Sequence, residues 1–331
     1  MFTKSDYSAR IKRAQKQLGD GRALLINKDE NLRYFTGVDS GRLLIWKDDF
    51  KYWLNEVYFD RAKNSYAKPQ HYEKECISNL IFKKGFGKVG MDEITLQDYK
   101  NLKPKLRKLV IPSNICEQLR KIKDKKEIEL LDKAGRIAAD AVASIEDKDL
   151  SGMDEFELAA IIEYEIRKNG SEKPPFSHGM LCLTGPNTRF PHSPTTKRKI
   201  KDGDLVLLDL GAVYEGYFSD MTRTLKIGHV SKEKEDLVES MINLKDTAIE
   251  KVEIGGKISE IHNYINKEIE DMGYKFAHLS GHGVGLEIHE APSVGPNEED
   301  VFTEGMVFTI EPGIYTTKFG ARSEDTIALV G

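Results

Sequence analysis

Hydrophobic positions recur with helical spacing in several stretches of this chain. Ser5 to Leu18 is one, and Leu119 to Ile145 is a longer one whose Ile122, Ile128, Leu131, Ala134, Ile137 and Ala138 keep one face apolar. Asp154–Lys168, Lys232–Val252 and Ile258–Met272 follow the same rule, each running out at or near a glycine that suits a left-handed cap: Gly170, Gly255 and Gly273. Shorter apolar runs read as strands: Arg22–Ile26, Arg42–Trp46 and Lys51–Leu54 around a hairpin at Lys47–Phe50, and Lys88–Met91. The mixed short pieces give way to long helices near residues 115–125. This predicts a smaller α/β domain over residues 1–120 and a second, α+β domain over residues 121–331.

The second region carries an internal echo. Lys201–Gly211 (KDGDLVLLDLG) and Thr303–Gly313 (TEGMVFTIEPG) superpose so that Gly203 falls on Gly305, Asp209 on Glu311 and Gly211 on Gly313. In each, an apolar run ends in a carboxylate, which is costly to bury unless it meets a cation or a donor. A second acid follows on what reads as a returning strand, Asp220 in one half and Glu324 in the other. Helix pair, hairpin, helix pair, hairpin is the implied order, with a pseudo-twofold that brings the acids together where the halves join. Between the two halves lies GHGVGLEIHE (281–290), with His282 flanked by glycines. Carboxylates and one imidazole in this arrangement suit a metal site.

Composition narrows the field. With 39% apolar and 31% charged residues the chain fits a folded, soluble protein. A net charge of -4, from 50 Lys+Arg against 54 Asp+Glu, gives no electrostatic reason to expect nucleic acid or an anionic membrane as partner. Cys76, Cys116 and Cys182 form no CxxC pair, so a disulfide framework is not expected and a reducing cytoplasm is. The first residues lack an apolar stretch of signal-peptide type, and no window approaches the roughly 20 apolar residues of a membrane span.

Each candidate has a plainer reading. Asp202 and Asp204 flank Gly203 and read as turn residues. Asp209 follows Leu205–Leu208 directly, which makes a turn role awkward and a ligand role natural. Asp220 is placed either to pair with Arg223 or to meet Asp209 across a tight hairpin. Of Glu324 and Asp325, strand alternation lets only one face the site. Spacing alone leaves His192, in PHSP (191–194), and His289 undecided. His71, His178, His229, His262 and His278 read as structural or surface residues.

Five motifs in order, namely PHSP (191–194), DGDLVLLDLGAVYEGYFSDMTRT (202–224), GHGVGLEIHE (281–290), EGMVFTIEPGIY (304–315) and GARSEDT (320–326), resemble the pita-bread metallopeptidases: Xaa-Pro dipeptidases (prolidases), Xaa-Pro aminopeptidases and methionine aminopeptidases. Residues 1–115 more distantly resemble the small first domain of the creatinase/prolidase branch, notably at Asn31–Gly37. The resemblance implies metal ligands at Asp209, Asp220, His282, Glu311 and Glu324, with Asp220 and Glu324 bridging two divalent ions. Such a donor set suits Mn²⁺ or Co²⁺, then Fe²⁺ or Zn²⁺. It further implies a metal-bridging hydroxide as nucleophile and Glu311 as proton shuttle. His192 and His289 become catalytic and substrate-binding donors, and Arg322 a substrate-binding residue that orients a ligand carboxylate or neighbouring acid.

Residues 1–115 favour the Xaa-Pro branch over methionine aminopeptidases. Within that branch His289–Asn297 contains no arginine, the cation some dipeptidases use for a free carboxylate. Dipeptide cleavage leads, and Xaa-Pro aminopeptidase action on longer peptides is the alternative. A non-catalytic peptide-binding module of the same fold stands further off, because the ligand types are intact. The expected partners are a proline-containing di- or oligopeptide and a second copy in a homodimer. The chain ends at Gly331, soon after Glu324, where relatives usually continue, so either the sequence is truncated or its last strand lacks the usual follow-on.

Overall fold

The computed structural model describes all residues except Met1, Asn64, Lys74, Glu75, Asp147 and His178, so the structural reading of His178 lies outside the described residues. It divides into two compact units, Met1–Arg120 and Lys121–Gly331.

The first unit begins with α1 (Lys4–Gln17), β1 (Arg22–Ile26), α2 (Asp29–Thr36), β2 (Arg42–Trp46), β3 (Asp49–Leu54) and β4 (Pro69–His71). It continues through α3 (Cys76–Lys84), β5 (Lys88–Met91), α4 (Leu96–Asn101), α5 (Pro104–Arg107) and β6 (Val110–Pro112). Its strands form one mixed sheet in the order β4-β3-β2-β1-β5-β6. The predicted hairpin forms around Lys47–Asp48, with Trp46 opposite Asp49. Leu25, Leu44, Trp46, Trp53 and Val89 pack with Ile81 of α3 as its core.

The long predicted helix 119–145 is two helices, α6 (Ile115–Lys121) and α7 (Lys125–Ala143). Lys123 breaks it by donating its backbone N–H to Gly305 O (2.8 Å). Asp124 then restarts the helix as an N-cap: its side chain accepts from Glu127 N while the Glu127 carboxylate accepts from Asp124 N, both at 3.0 Å. The Lys123 ammonium is buried against Glu290 (2.9 Å).

α8 (Glu155–Lys168) completes the first helix pair. Next come β7 (Leu181–Thr184), β8 (Leu205–Leu210), the small hairpin β9 (Val213–Tyr214) and β10 (Tyr217–Phe218), and β11 (Met221–Lys226). The second pair, α9 (Lys232–Glu250) and α10 (Ile258–Asp271), ends at Gly273 with φ 86°. After it run β12 (His282–Gly283), β13 (Glu290–Ser293), β14 (Val307–Ile310), the hairpin β15 (Gly313–Tyr315) and β16 (Gly320–Arg322), and β17 (Asp325–Ala328). The sheets β11-β8-β7 and β13-β12-β14-β17 are therefore each preceded by a helix pair and interrupted by a short hairpin. Among the described residues no helix is long and apolar enough to cross a membrane.

Alternation along the strands decides which side chains face the helices. Val206, Leu208 and Leu210 of β8 join Ile137, Ala138, Leu158 and Ile162 of α7 and α8 in one core. Phe308 and Ile310 of β14 join Met241, Leu244, Ile261 and Ile265 of α9 and α10 in another. Asp209 and Glu311 are one residue out of phase with these sets, so each acid points to the face its helix pair does not cover.

Candidate metal centre

The two returning strands complete the arrangement. Asp220 immediately precedes β11 and Glu324 immediately precedes β17. A bridge between Thr222 and Glu324 joins the two strands: Glu324 N donates to Thr222 O (3.2 Å) and Thr222 Oγ1 donates to Glu324 Oε2 (2.7 Å). Glu324 turns inward, while Asp325 turns away to pair with Arg223 (2.7 Å) and Lys245. Arg223 is thereby taken, and Asp220 is not its partner. Asp204 pairs with Arg198 and Asp202 accepts from His229 N (2.9 Å), both at the turn and away from the cluster.

His282 reaches the cluster because its strand is wedged between two others. A Cβ on Gly281 would sit 1.9 Å from Thr309 O, and one on Gly283 would sit 2.2 Å from Ala291 O, so only glycine allows β12 to lie this close to β14 and β13. The His282 amide donates to Thr309 Oγ1 (3.1 Å), which itself donates to Glu311 Oε1 (3.2 Å). With a proton on Nδ1, directed at Gly283 O (3.2 Å), the Nε2 lone pair faces Asp220 Oδ2 and Glu311 Oε1, each 3.5 Å away.

Ligand atoms of Asp209, Asp220 and Glu324 lie within 4.8 Å of one another, as do those of His282, Glu311 and Glu324 and those of Asp220, His282 and His289. Asp220 and Glu324 each belong to two of these groups and have two oxygens to share between them. Burial pushes the carboxyls of Asp220 and Glu324 well above their usual range, and the neighbouring acids push them further. Burial raises Glu311 to about 7 against the pull of Arg322. Desolvation lowers His282 to about 4, with His289 adding to the effect. Asp220 Oδ1 is buried and has no hydrogen-bond partner among the described residues. Four converging acids, a neutral imidazole aimed at them and an orphaned carboxylate oxygen fit divalent cations in this space.

Arg322 lies behind Asp209. It is 2% exposed, with its NH2 on Asp209 Oδ2, Nε on Thr222 Oγ1 (3.0 Å) and NH1 on Tyr315 OH (2.8 Å) and Pro191 O (3.3 Å). Burial opposes its charge, but Tyr315, Asp209 and the other acids hold it firmly protonated. These bonds set its guanidinium against Asp209, the neighbouring acid. His289 and His192 are both exposed. The His289 ring stands edge-on to His282 with centroids 4.2 Å apart; burial lowers its pKa, and His192 adds to the effect.

Two residues here were not singled out from sequence. His278 Nε2 lies 3.1 Å from Tyr315 OH and its Nδ1 3.9 Å from Glu311 Oε2; burial, together with Arg322 and His192, lowers its pKa to about 4. Tyr315 links His278 to Arg322. It stands in the EGMVFTIEPGIY motif, whereas His278 offered no signal beyond its place four residues before His282.

Residues 129–330 match the model of metallopeptidase family M24, and residues 10–122 match the creatinase/prolidase N-terminal domain. The chain is 34% identical over 316 residues to the Xaa-Pro dipeptidase of Pyrococcus horikoshii, covering 93% of this chain and 90% of that one. Its structure is similar to that of an Xaa-Pro dipeptidase from Bacillus anthracis, with a TM-score of 0.92 and 28% identity over 98% of this chain and 95% of that one. It is also similar to that of an X-Pro aminopeptidase from Thermotoga maritima, with a TM-score of 0.85 and 26% identity over 98% and 94% of the two chains. On the strength of both matches and of 34% identity over nearly its whole length, this chain belongs to metallopeptidase family M24, in the branch with a creatinase/prolidase N-terminal domain.

Proposed function

We propose that this metallopeptidase hydrolyses the Xaa-Pro bond of dipeptides, using two divalent metal ions held by Asp209, Asp220, His282, Glu311 and Glu324. The observation that carries the reading is the convergence of these five side chains, with the Arg322 guanidinium behind them already committed to Asp209. Mn²⁺ or Co²⁺ suits oxygen donors with a single imidazole. When bound, such ions supply an activated water nucleophile and polarise the scissile carbonyl.

The chain's own residues do the rest. Glu311 lies beside His282 and His278, where its carboxylate takes the nucleophile's proton and passes it to the leaving proline nitrogen. That nitrogen carries no N–H in the substrate and gains one as the bond breaks. His289 and His192 are exposed while Asp209, Asp220 and Glu324 are buried, which puts the two imidazoles where they can meet a bound peptide and the oxyanion that forms on it. Arg322 and Thr222 hold Asp209 and Glu324 in place from behind.

The names of the Pyrococcus and Bacillus relatives support a dipeptide substrate. The absence of arginine from His289–Asn297 supports the second reading, cleavage of Xaa-Pro from longer peptides. Rates on Met-Pro, Met-Ala and an Xaa-Pro-Xaa tripeptide, with Mn²⁺ or Co²⁺ added, separate them. Met-Pro is expected to be cut fastest. Preference for the tripeptide would establish the aminopeptidase instead, and preference for Met-Ala would remove the Xaa-Pro reading.

A further inference from the structure

His192 stands on a segment without regular structure between β7 and β8, so something outside a strand must set its position. A buried carboxylate does so. Glu155, the first residue of α8, is fully buried. Its Oε1 accepts from Thr184 N (2.7 Å), Thr184 Oγ1 (2.9 Å) and Asn187 Nδ2 (2.9 Å). Its Oε2 accepts from Thr196 N and Thr196 Oγ1, both at 2.7 Å. One side chain thus grips the end of β7, the short turn before PHSP and the residue two beyond it. Asn187 Nδ2 also donates to Thr196 Oγ1 (3.2 Å), closing the neck of the loop. The far side of the loop hangs on Arg322, which donates to Pro191 O beside His192.

The start of α8 does not need this acid. Asp154 and Glu157 already form a complete capping box, with Glu157 N donating to Asp154 Oδ1 (3.0 Å) and Asp154 N to Glu157 Oε2 (2.7 Å). The Glu155 carboxylate turns from the helix to the loop. We propose that Glu155 is a positioning residue for His192, holding the neck of the 187–196 loop so that the imidazole meets the substrate. This rests on the reading that His192 contacts the peptide.

Glu155→Gln tests it with little change of shape. An ionised carboxylate only accepts, whereas the amide must point its NH₂ at one of the two donor groups. The threonine hydroxyls and the Asn187 amide can turn to suit; the backbone N–H of Thr196 or of Thr184 cannot. The amide therefore loses its grip on one side of the neck. Misplacement of a catalytic contact by about 1 Å lowers rates roughly 100-fold, so kcat/KM on Met-Pro is expected to fall about 10–100-fold. Bound metal should be unchanged, and hydrogen exchange should quicken over 187–196 but not over β8 or β14. In a His192→Ala background the same substitution is expected to lower the rate less than twofold. Thr196→Val, which removes the hydroxyl that donates to Glu155 and accepts from Asn187 Nδ2 and Arg198 N but keeps the Thr196 backbone N–H on the carboxylate, should show the same pattern and serves if Glu155→Gln is insoluble. Unchanged exchange over 187–196, or an equal loss of rate in both backgrounds, would overturn the proposal. Faster exchange with a His192→Ala enzyme as active as wild type would instead show that the loop is clamped but His192 does not meet substrate, which overturns the role while leaving the Xaa-Pro reading to the wild-type rates.

Discussion

Replacing Arg322 with methionine probes the electrostatics of the centre most sharply. The methionine keeps most of the buried volume but removes the guanidinium from Asp209, Thr222 and Tyr315. Removing one partner of a buried ion pair destabilises a protein by about 3–5 kcal/mol. A unit of this size loses roughly 2–4 °C in Tm per kcal/mol, so in EDTA the transition of the second unit should fall by roughly 6–20 °C. Divalent ions supply the positive charge that Asp209 has lost, and binding to the native state alone adds about 2.7 kcal/mol at 100 times Kd. The wild type gains as much at the same saturation, so the deficit shrinks only because the variant's acids, without the guanidinium, should bind Mn²⁺ more tightly; with excess Mn²⁺ it should be smaller than in EDTA. Scanning calorimetry of both proteins with EDTA and with Mn²⁺ measures all four values. An equal deficit under both conditions would refute the idea that cations and Arg322 neutralise the same acids.

Glu311→Gln should lower kcat on Met-Pro by roughly 10²–10⁴-fold at saturating metal, the usual contribution of a positioned proton shuttle; unchanged kcat would assign the proton transfer elsewhere. Gly281→Ala drives a methyl group into Thr309 O; overpacking of about 1–3 kcal/mol should lower Tm, and the Tm gain on adding Mn²⁺ should shrink because His282 moves with its strand. The metal-free protein should lose stability as pH rises above about 6.5. Asp220, Glu311 and Glu324 have raised pKa values, so their protonated forms favour the fold and that contribution disappears as pH climbs through them. His278 and His282, depressed to about 4, act oppositely but only below about 6.5, where the unfolded histidines begin to charge. Tm in EDTA at pH 6.5 and 8.5 checks this, and a flat or rising profile would contradict it.

The acids of the centre were legible because an apolar run ending in a carboxylate has few uses, and alternation then fixes its face: Asp209 and Glu311 fall opposite the helix-packed Leu208 and Ile310. The glycines around His282 were legible for a steric reason, since two neighbouring strands leave no room for a Cβ. The division of helix 119–145 was not, because apolar spacing continues across Lys123 and only the Asp124–Glu127 capping box marks the restart. His278 escaped because its significance comes from Tyr315, 37 residues on, and no periodic pattern links the two. Glu155 escaped because an acid in the first turn of a helix reads as a partner for the helix dipole, while its five bonds run to residues 29 to 41 positions away.

Crystals grown with Mn²⁺ and measured near the manganese edge give the most direct test of the centre. Two anomalous peaks are expected, bounded by Asp209, Asp220, His282, Glu311 and Glu324. Crystals that show no peak among these five side chains, or manganese bound only elsewhere, would contradict the assignment.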